Sequence, residues 1–274
     1  MIAVAGCAAA VLGALAPACS LPEGQGDVTG TLNVPSCWAG KFDLKPDFYA
    51  GVPYRETLQL RIQSGGDYET FSDGISILID NVNDIRPSDD PSQVAAHPGL
   101  YNVPLAVSLP PGVTPPGVPI PVVASPARVH LTLYLQQTCR TQNVALYAMD
   151  QVLLNPDGTC DATDGSADPL PCSVTQPAPP DGGVPDASSA ETGAPPATAP
   201  IGHSTITFTS LFDGNPDEDV AAKRLNAGSF HVYLADPREI CPGGLGPPPR
   251  CRGELTTSGF SFYFQRGRPA QPFP

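Results

Sequence analysis

Val129-His130-Leu131-Thr132-Leu133-Tyr134-Leu135-Gln136 alternates an aliphatic residue with a polar or amphipathic one at every step. A β-strand turns successive side chains to opposite faces, so this octet has one face to bury and one to wet. A helix would scatter the same residues around its axis, because its side chains return only every 3.6 positions. Leu58-Gln59-Leu60-Arg61-Ile62-Gln63 repeats the pattern. So do Val28–Val34, Ile75–Val82, Tyr101–Leu109, Val144–Leu154, Thr205–Phe212, Phe230–Leu234 and Leu255–Phe264, the last with Phe260, Phe262 and Phe264 on one face. About nine strands with polar faces and no strong helical period predict an all-β chain. Burying those faces against one another predicts an antiparallel two-sheet β-sandwich with long Pro/Gly-rich loop insertions. The one helical signal is a turn or two within Pro216–Asn226, with Gly228 as its stop.

Composition agrees with that frame. The chain has 274 residues, of which 35 are Pro and 27 Gly, a share that argues against a compact helical protein. A net charge of −13 offers nucleic-acid phosphates no overall basic field, which excludes nucleic acid as a partner class. The acidity is local: 141–222 holds no Lys or Arg and twelve of the 27 acids. Within it, 155–200 is rich in Pro, Ala, Asp, Ser and Gly and reads as an acidic insertion between neighbouring strands, with Ser173–Pro200 expected to be disordered. Pro110–Pro126, with seven prolines, reads as an extended connection.

The N-terminus carries the signal for location. Ile2–Ala16 is uncharged and rich in Ala, Val and Leu, too short to span a bilayer comfortably, and it leads into Leu15-Ala16-Pro17-Ala18-Cys19-Ser20. Small residues directly before a Cys resemble the lipobox of bacterial lipoproteins, in which the Cys thiol is acylated and becomes the mature N-terminus. This predicts a signal peptide over 1–18, lipidation at Cys19, a tether over 19–30 and a single domain over 31–274. Against the pattern, Ala stands at the third position before Cys19 and no basic residue precedes the apolar run. Val4-Ala5-Gly6-Cys7 is a second lipobox-like site, close to Met1, and an ordinary cleaved secretory signal is the third alternative. All three export the chain.

Cys37, Cys139, Cys160, Cys172, Cys241 and Cys251 remain after the leader and anchor, an even number in a chain bound for an oxidising compartment. Disulfides follow as the expectation. Cys160/Cys172 and Cys241/Cys251 each bracket a Pro/Gly-rich loop, which favours local pairing and leaves Cys37 for Cys139. Zinc fails on spacing, since there is no C-x-x-C and no paired Cys/His motif.

Motifs for chemistry are sparse. Asp213-Gly214-Asn215-Pro216-Asp217-Glu218-Asp219 places oxygens at alternate positions, making Asp213, Asn215, Asp217 and Asp219 candidate ligands for a structural calcium. Glu218 and Arg224 stand where an EF-hand needs Gly and Glu, so that family is excluded, and a solvated acidic turn is the competing reading. Asp157, Asp161, Asp164 and Asp168 have helical spacing, but Gly158, Gly165 and Pro169 oppose a helix. No cofactor is expected. No nucleophile elbow, metalloprotease, P-loop or dinucleotide motif occurs, so no catalytic residue is assigned and the chain is read as a non-enzyme. His130 and His231 fall on wet faces beside Tyr134 and Tyr233 and would form a surface pair if their strands were neighbours. Trp38 is expected to pack on the Cys37 disulfide. Asp236-Pro237-Arg238-Glu239 reads as a turn with an ion pair.

Gly30-Thr31-Leu32-Asn33-Val34-Pro35-Ser36-Cys37-Trp38, the strand pair around Leu58–Ile79, and Phe262-Tyr263-Phe264-Gln265-Arg266-Gly267-Arg268-Pro269, together with Cys19, resemble lipoproteins of the myxobacterial type. The resemblance implies export and anchoring and carries over no functional residue. The reading is then an exported, lipid-anchored cell-envelope protein, in the outer membrane, acting as a non-catalytic binding or structural module. Its partner would be an envelope protein or a glycan. Carbohydrate binding would need Trp38, or Tyr49, Tyr54, Tyr134 and Tyr233 exposed together. A hydrolase would need two acids about 5–10 Å apart across a cleft.

Overall fold

A computed structural model describes residues 24–64, 72–85, 100–102, 129–155, 157–160, 200–212, 219–240 and 248–265. Cys19, Cys172, Cys241, Asp213, Asn215 and Asp217 lie outside them, as does most of the acidic insertion. The strands are β1 (Gln25–Gly26), β2 (Thr29–Val34), β3 (Trp38–Asp43), β4 (Phe48–Tyr54), β5 (Thr57–Gln63), β6 (Asp73–Ile79) and β7 (Leu100–Asn102). They continue with β8 (Val129–Leu135), β9 (Val144–Met149), β10 (Gln151–Leu153), β11 (Ile201–His203), β12 (Thr205–Ser210), β13 (Leu225–Ala235) and β14 (Gly253–Tyr263). One helical turn, α1 (Val82–Ile85), follows β6. The expected helix near Pro216–Asn226 is a 3-10 turn at Ala221–Arg224, and Gly228, expected to stop it, lies inside β13.

The fold is all-β. Among the described residues twelve strands form one curled antiparallel sheet, nine of them along the path β3-β2-β14-β13-β9-β8-β6-β5-β4 with β1, β12 and β7 off it, and β10 and β11 form a second, small sheet. The continuity of the large sheet comes from the two 11-residue strands, each long enough to serve two neighbours along one edge. β13 pairs with β9 through Tyr233–Ala235 and with β12 through Ala227–His231. β14 pairs with β2 through Gly253–Thr256 and with β1 through Phe260–Ser261. Between those halves Ser258 and Gly259 stand opposite the single residue Ser229, a bulge that bends the strand from one neighbour to the next.

The curl brings the far end of the path back to the start. Tyr49, the second residue of β4, is 3% exposed; its ring lies 5.9 Å from that of Phe262 on β14, and its hydroxyl donates to the Gly26 carbonyl of β1 at 3.1 Å. The same ring fills the space beside Gly24, where a Cβ would stand 2.5 Å from it. Burial and then the carboxylates of Asp27 and Asp47 push the Tyr49 hydroxyl up to about 12.

The alternating stretches supply the core as their period requires. Leu58, Leu60, Ile62, Ile75, Ile77, Ile79, Val129, Leu131, Leu133 and Leu135 are buried in register across β5, β6 and β8. The stretch Val144–Leu154 breaks at Asp150, so β9 stays in the large sheet while β10 leaves it to pair with β11. β1, β3, β4 and β11 are additional strands. β3 and β4 escape the period because Gly40, Gly51 and Pro53 interrupt it; β4 ends in a two-residue turn where Arg55 takes a left-handed backbone, φ 57°. β1 and β2 start inside the expected 19–30 tether, so folded chain begins by Gln25.

Candidate binding face

Directly paired residues on neighbouring strands project from the same side of a sheet. One outward row runs Thr205, His231, Thr256, Thr29 and Asp43 across β12, β13, β14, β2 and β3. The next runs Tyr233, Glu254, Thr31 and Lys41. Every member is exposed or half-buried, so a broad polar face runs from the edge strand β3 across β2, β14 and β13 to β12. At its centre the His231 Nε2 and the Glu254 Oε1 are 2.6 Å apart.

Tyr233 fixes one side of this face. Its ring centroid lies 5.0 Å from that of His231, and a Cβ on Gly202 of β11 would stand 3.0 Å from its ring. Its backbone N–H donates to the Ser204 hydroxyl at 2.9 Å. Burial first, and then the Glu254 carboxylate, raise its hydroxyl pKa. Held between Gly202 and His231, the ring is a wall of the face and not a free stacking platform. Beneath β10 and β11, Met149, Val152, Leu154 and Ala235 form a second small core, packed against Tyr147, Tyr233, Cys160, Ile240 and Cys251.

Cysteine pairing departs in part from the sequence expectation. Cys37 is bonded to Cys139, with Cα atoms 5.5 Å apart. Cys160 is bonded to Cys251, Cα atoms 5.3 Å apart, so the local Cys160/Cys172 and Cys241/Cys251 pairs do not form. The reason lies in the second core. The Leu153 N–H donates to the Pro249 carbonyl and the Cys251 N–H to the Leu153 carbonyl, which lays the segment before β14 alongside β10 and brings Cys251 to Cys160.

Other singled-out residues have structural duties. His130 and His231 do not meet, because β9 separates β8 from β13; His130 lies 3.2 Å from Asp80 instead. Trp38 is 38% exposed at the rim, its ring edge-on to Phe42, and is not enclosed in the core. The four tyrosines do not gather: Tyr49 is buried, Tyr54 is 68% exposed at the β4–β5 turn, and Tyr134 and Tyr233 are half-buried with Tyr147's strand between theirs. Burial followed by the neighbouring Tyr147 raises the Tyr134 hydroxyl pKa. The expected ion pair forms in the turn: Arg238 Nε donates to Asp236 at 2.9 Å. Burial acts to raise the Asp236 pKa, but the side chain and backbone N–H of Arg238 hold it below the usual carboxylate range.

Of the four candidate calcium ligands, Asp219 alone is described. Among the described residues no group of three His, Cys, Asp or Glu could hold a metal. Three features escaped sequence reading. Arg252, 6% exposed, donates through Nε to Glu239 at 2.9 Å, joining the 3-10 turn Pro237–Glu239 to the sheet. Asp73, 6% exposed, accepts from the backbone N–H groups of Gln137 and Thr138 at 2.8 and 3.0 Å, shaping the turn that presents Cys139. Glu254, partner of His231, alternates correctly with Leu255, but its meeting with His231 depends on the β13–β14 register. Comparison with protein-family models, curated proteins and solved structures finds no match for this chain.

Proposed function

We propose that this is an exported cell-envelope protein, anchored through lipid at Cys19, that serves as a non-catalytic binding or structural module. We read the curled sheet as the two layers of a β-sandwich, with the polar face of β12, β13, β14, β2 and β3 as its working surface. The observation that carries export is the pair of long-range disulfides, Cys37–Cys139 and Cys160–Cys251, which persist in oxidising compartments and not in the cytosol. Supporting a binding surface, the hydroxyls of Thr29, Thr31, Thr205 and Thr256 flank the His231–Glu254 pair on regular strands, where positions are fixed before a ligand arrives.

Fatty-acid labelling tests the anchor: the wild-type protein incorporates label and partitions into detergent, and Cys19→Ser loses both. Equal labelling of the two removes the assignment. A thermal-shift panel with soluble glycans and calcium tests the face, since a specific ligand raises Tm by mass action. A ligand of this face loses its shift in Thr31→Lys/Thr256→Lys; a retained shift moves the site elsewhere. Glycan binding is a second reading, favoured by Trp38, the single tryptophan, at 38% exposure. Intrinsic fluorescence reports it directly, and emission unchanged by every glycan in the panel excludes Trp38.

A further inference from the structure

We propose that one end of the sheet is apposed to the bilayer: the end formed by Gly24, Asp27, Lys45, Asp47, Ser258 and Gly259. The proposal rests on the lipid-anchored reading and adds to it the partner surface and the orientation of the domain. Only five Cα steps separate Cys19 from Gly24, and a fully extended chain covers at most about 3.6 Å per step, so the acylated residue lies within ~18 Å of Gly24. Gly24 is itself fixed: it sits against the Tyr49 ring and runs directly into β1, which is paired with β14.

The neighbours of that attachment point are clear from the hydrogen bonds. Asp27 accepts from the Ser258 hydroxyl at 2.6 Å beside the β14 bulge. The Leu44 N–H donates to the Val28 carbonyl, which sets the β3–β4 turn with Lys45 at the same end. The Asp47 N–H donates to Gln63, the last residue of β5. Asp27, Lys45, Asp47 and Ser258 are exposed. From this end β4 runs away for seven residues to the Tyr54–Arg55 turn, a distance of ~23 Å at strand rise. The Arg55 turn is therefore the membrane-distal end.

Electrostatics does not hold the surface down, because Asp43, Asp47 and Asp27 outnumber Lys45 there. A tether of this length does, by keeping the domain from turning over. Apposition is then fully dependent on the acyl chain.

The test uses the acylated full-length protein in phosphatidylethanolamine/phosphatidylglycerol vesicles that carry a headgroup nitroxide. A fluorophore is attached through an azide-bearing amino acid in place of Lys45 or of Arg55. The Lys45 probe is expected to be quenched at least about twofold more than the Arg55 probe, given the ~23 Å that β4 spans from that end to the turn. Inserting twenty Gly/Ser residues between Glu23 and Gly24 is expected to abolish the difference. Equal quenching without the insert, or stronger quenching at Arg55, overturns the orientation. A gradient that survives the insert overturns the tether as its cause. Acylation is measured on the same preparation by mass, so protein that carries no lipid refutes the anchor, and the apposition with it, separately from a failure of orientation in protein that does.

Discussion

Replacing Cys160 and Cys251 together with serine separates the observed pairing from the local one. The bridge closes a loop of 91 residues. In the chain-entropy treatment a loop of that length constrains the unfolded chain by about 4.6 kcal/mol at 25 °C, whereas a bridge over the twelve residues from Cys160 to Cys172 would supply about 2.8. A domain of this size loses roughly 2–4 °C of Tm per kcal/mol, so the double variant should melt about 9–18 °C lower than wild type under non-reducing conditions. A second effect is local. The bridge fastens the small core of Met149, Val152, Leu154 and Ala235, which otherwise depends on the two-stranded sheet and a few backbone bonds. Hydrogen exchange should therefore accelerate most at the Leu153 and Leu154 amides, bonded to Pro249 and Pro200, while Ile77 and Leu133 in the main core stay protected. Guanidinium unfolding, calorimetry and exchange read the three quantities. Non-reducing peptide mapping supplies the decisive check: a peptide joining Cys160 to Cys172 in the wild-type protein would refute the reasoning outright.

Three further outcomes follow from the same contacts. Tyr49→Phe should cost about 1 kcal/mol at neutral pH through the lost bond to Gly26. Because the folded hydroxyl sits at about 12 against an ordinary 10.0, its contribution is whole below pH 10 and is lost as pH rises toward 12. Wild type should thus shed about 2 kcal/mol more than Tyr49→Phe across that window in urea titrations, and parallel profiles would show that the hydroxyl is not desolvated. Glu239→Gln should cost about 3–5 kcal/mol by leaving Arg252 charged and buried, and Arg252→Met/Glu239→Leu should recover most of it; a double variant as unstable as the single would contradict the ion-pair account. Gly30→Ala should cost about 3 kcal/mol, at the upper end of overpacking, because a Cβ there would stand 1.8 Å from the Glu254 carbonyl oxygen, and a near-neutral change would show that β2 and β14 are not paired as described.

The sequence exposed the strands whose two faces differ and concealed those whose faces do not. β5 and β8 were legible because each buries every second side chain along most of its length, and β6, buried almost throughout, because Ile75, Ile77 and Ile79 mark its core face. β3 was missed because it is an edge, with Phe42 its one buried side chain. The double pairing of β13 and β14 leaves no trace in periodicity, since a residue's facing does not say which neighbour it faces. Cys37 pairs with Cys139 as expected, but the partners of Cys160 and Cys251 were misread for a related reason. Nearness along the chain favoured Cys160 with Cys172, but the β10 hydrogen bonds bring in Cys251 from 91 residues away. The polar rows escaped because each contributes one ordinary residue per strand, and only the register lines up Thr205, His231, Thr256 and Thr29.

The pairing of β2 with β14 also sets a clock on biosynthesis. Thr29 accepts from Thr256, 227 residues later. At about 5–20 residues per second the ribosome needs on the order of 10–45 s to make that interval, and through all of it the first hairpin has an open flank where its permanent neighbour will lie. The last strand among the described residues, β14, is not an edge added to a finished body; it lies between β2 and β13. A nascent chain that stops anywhere before Gly253 therefore lacks an interior strand and has no native sheet to settle into. Synthesis of β14, and not any earlier milestone, is what lets this sheet close.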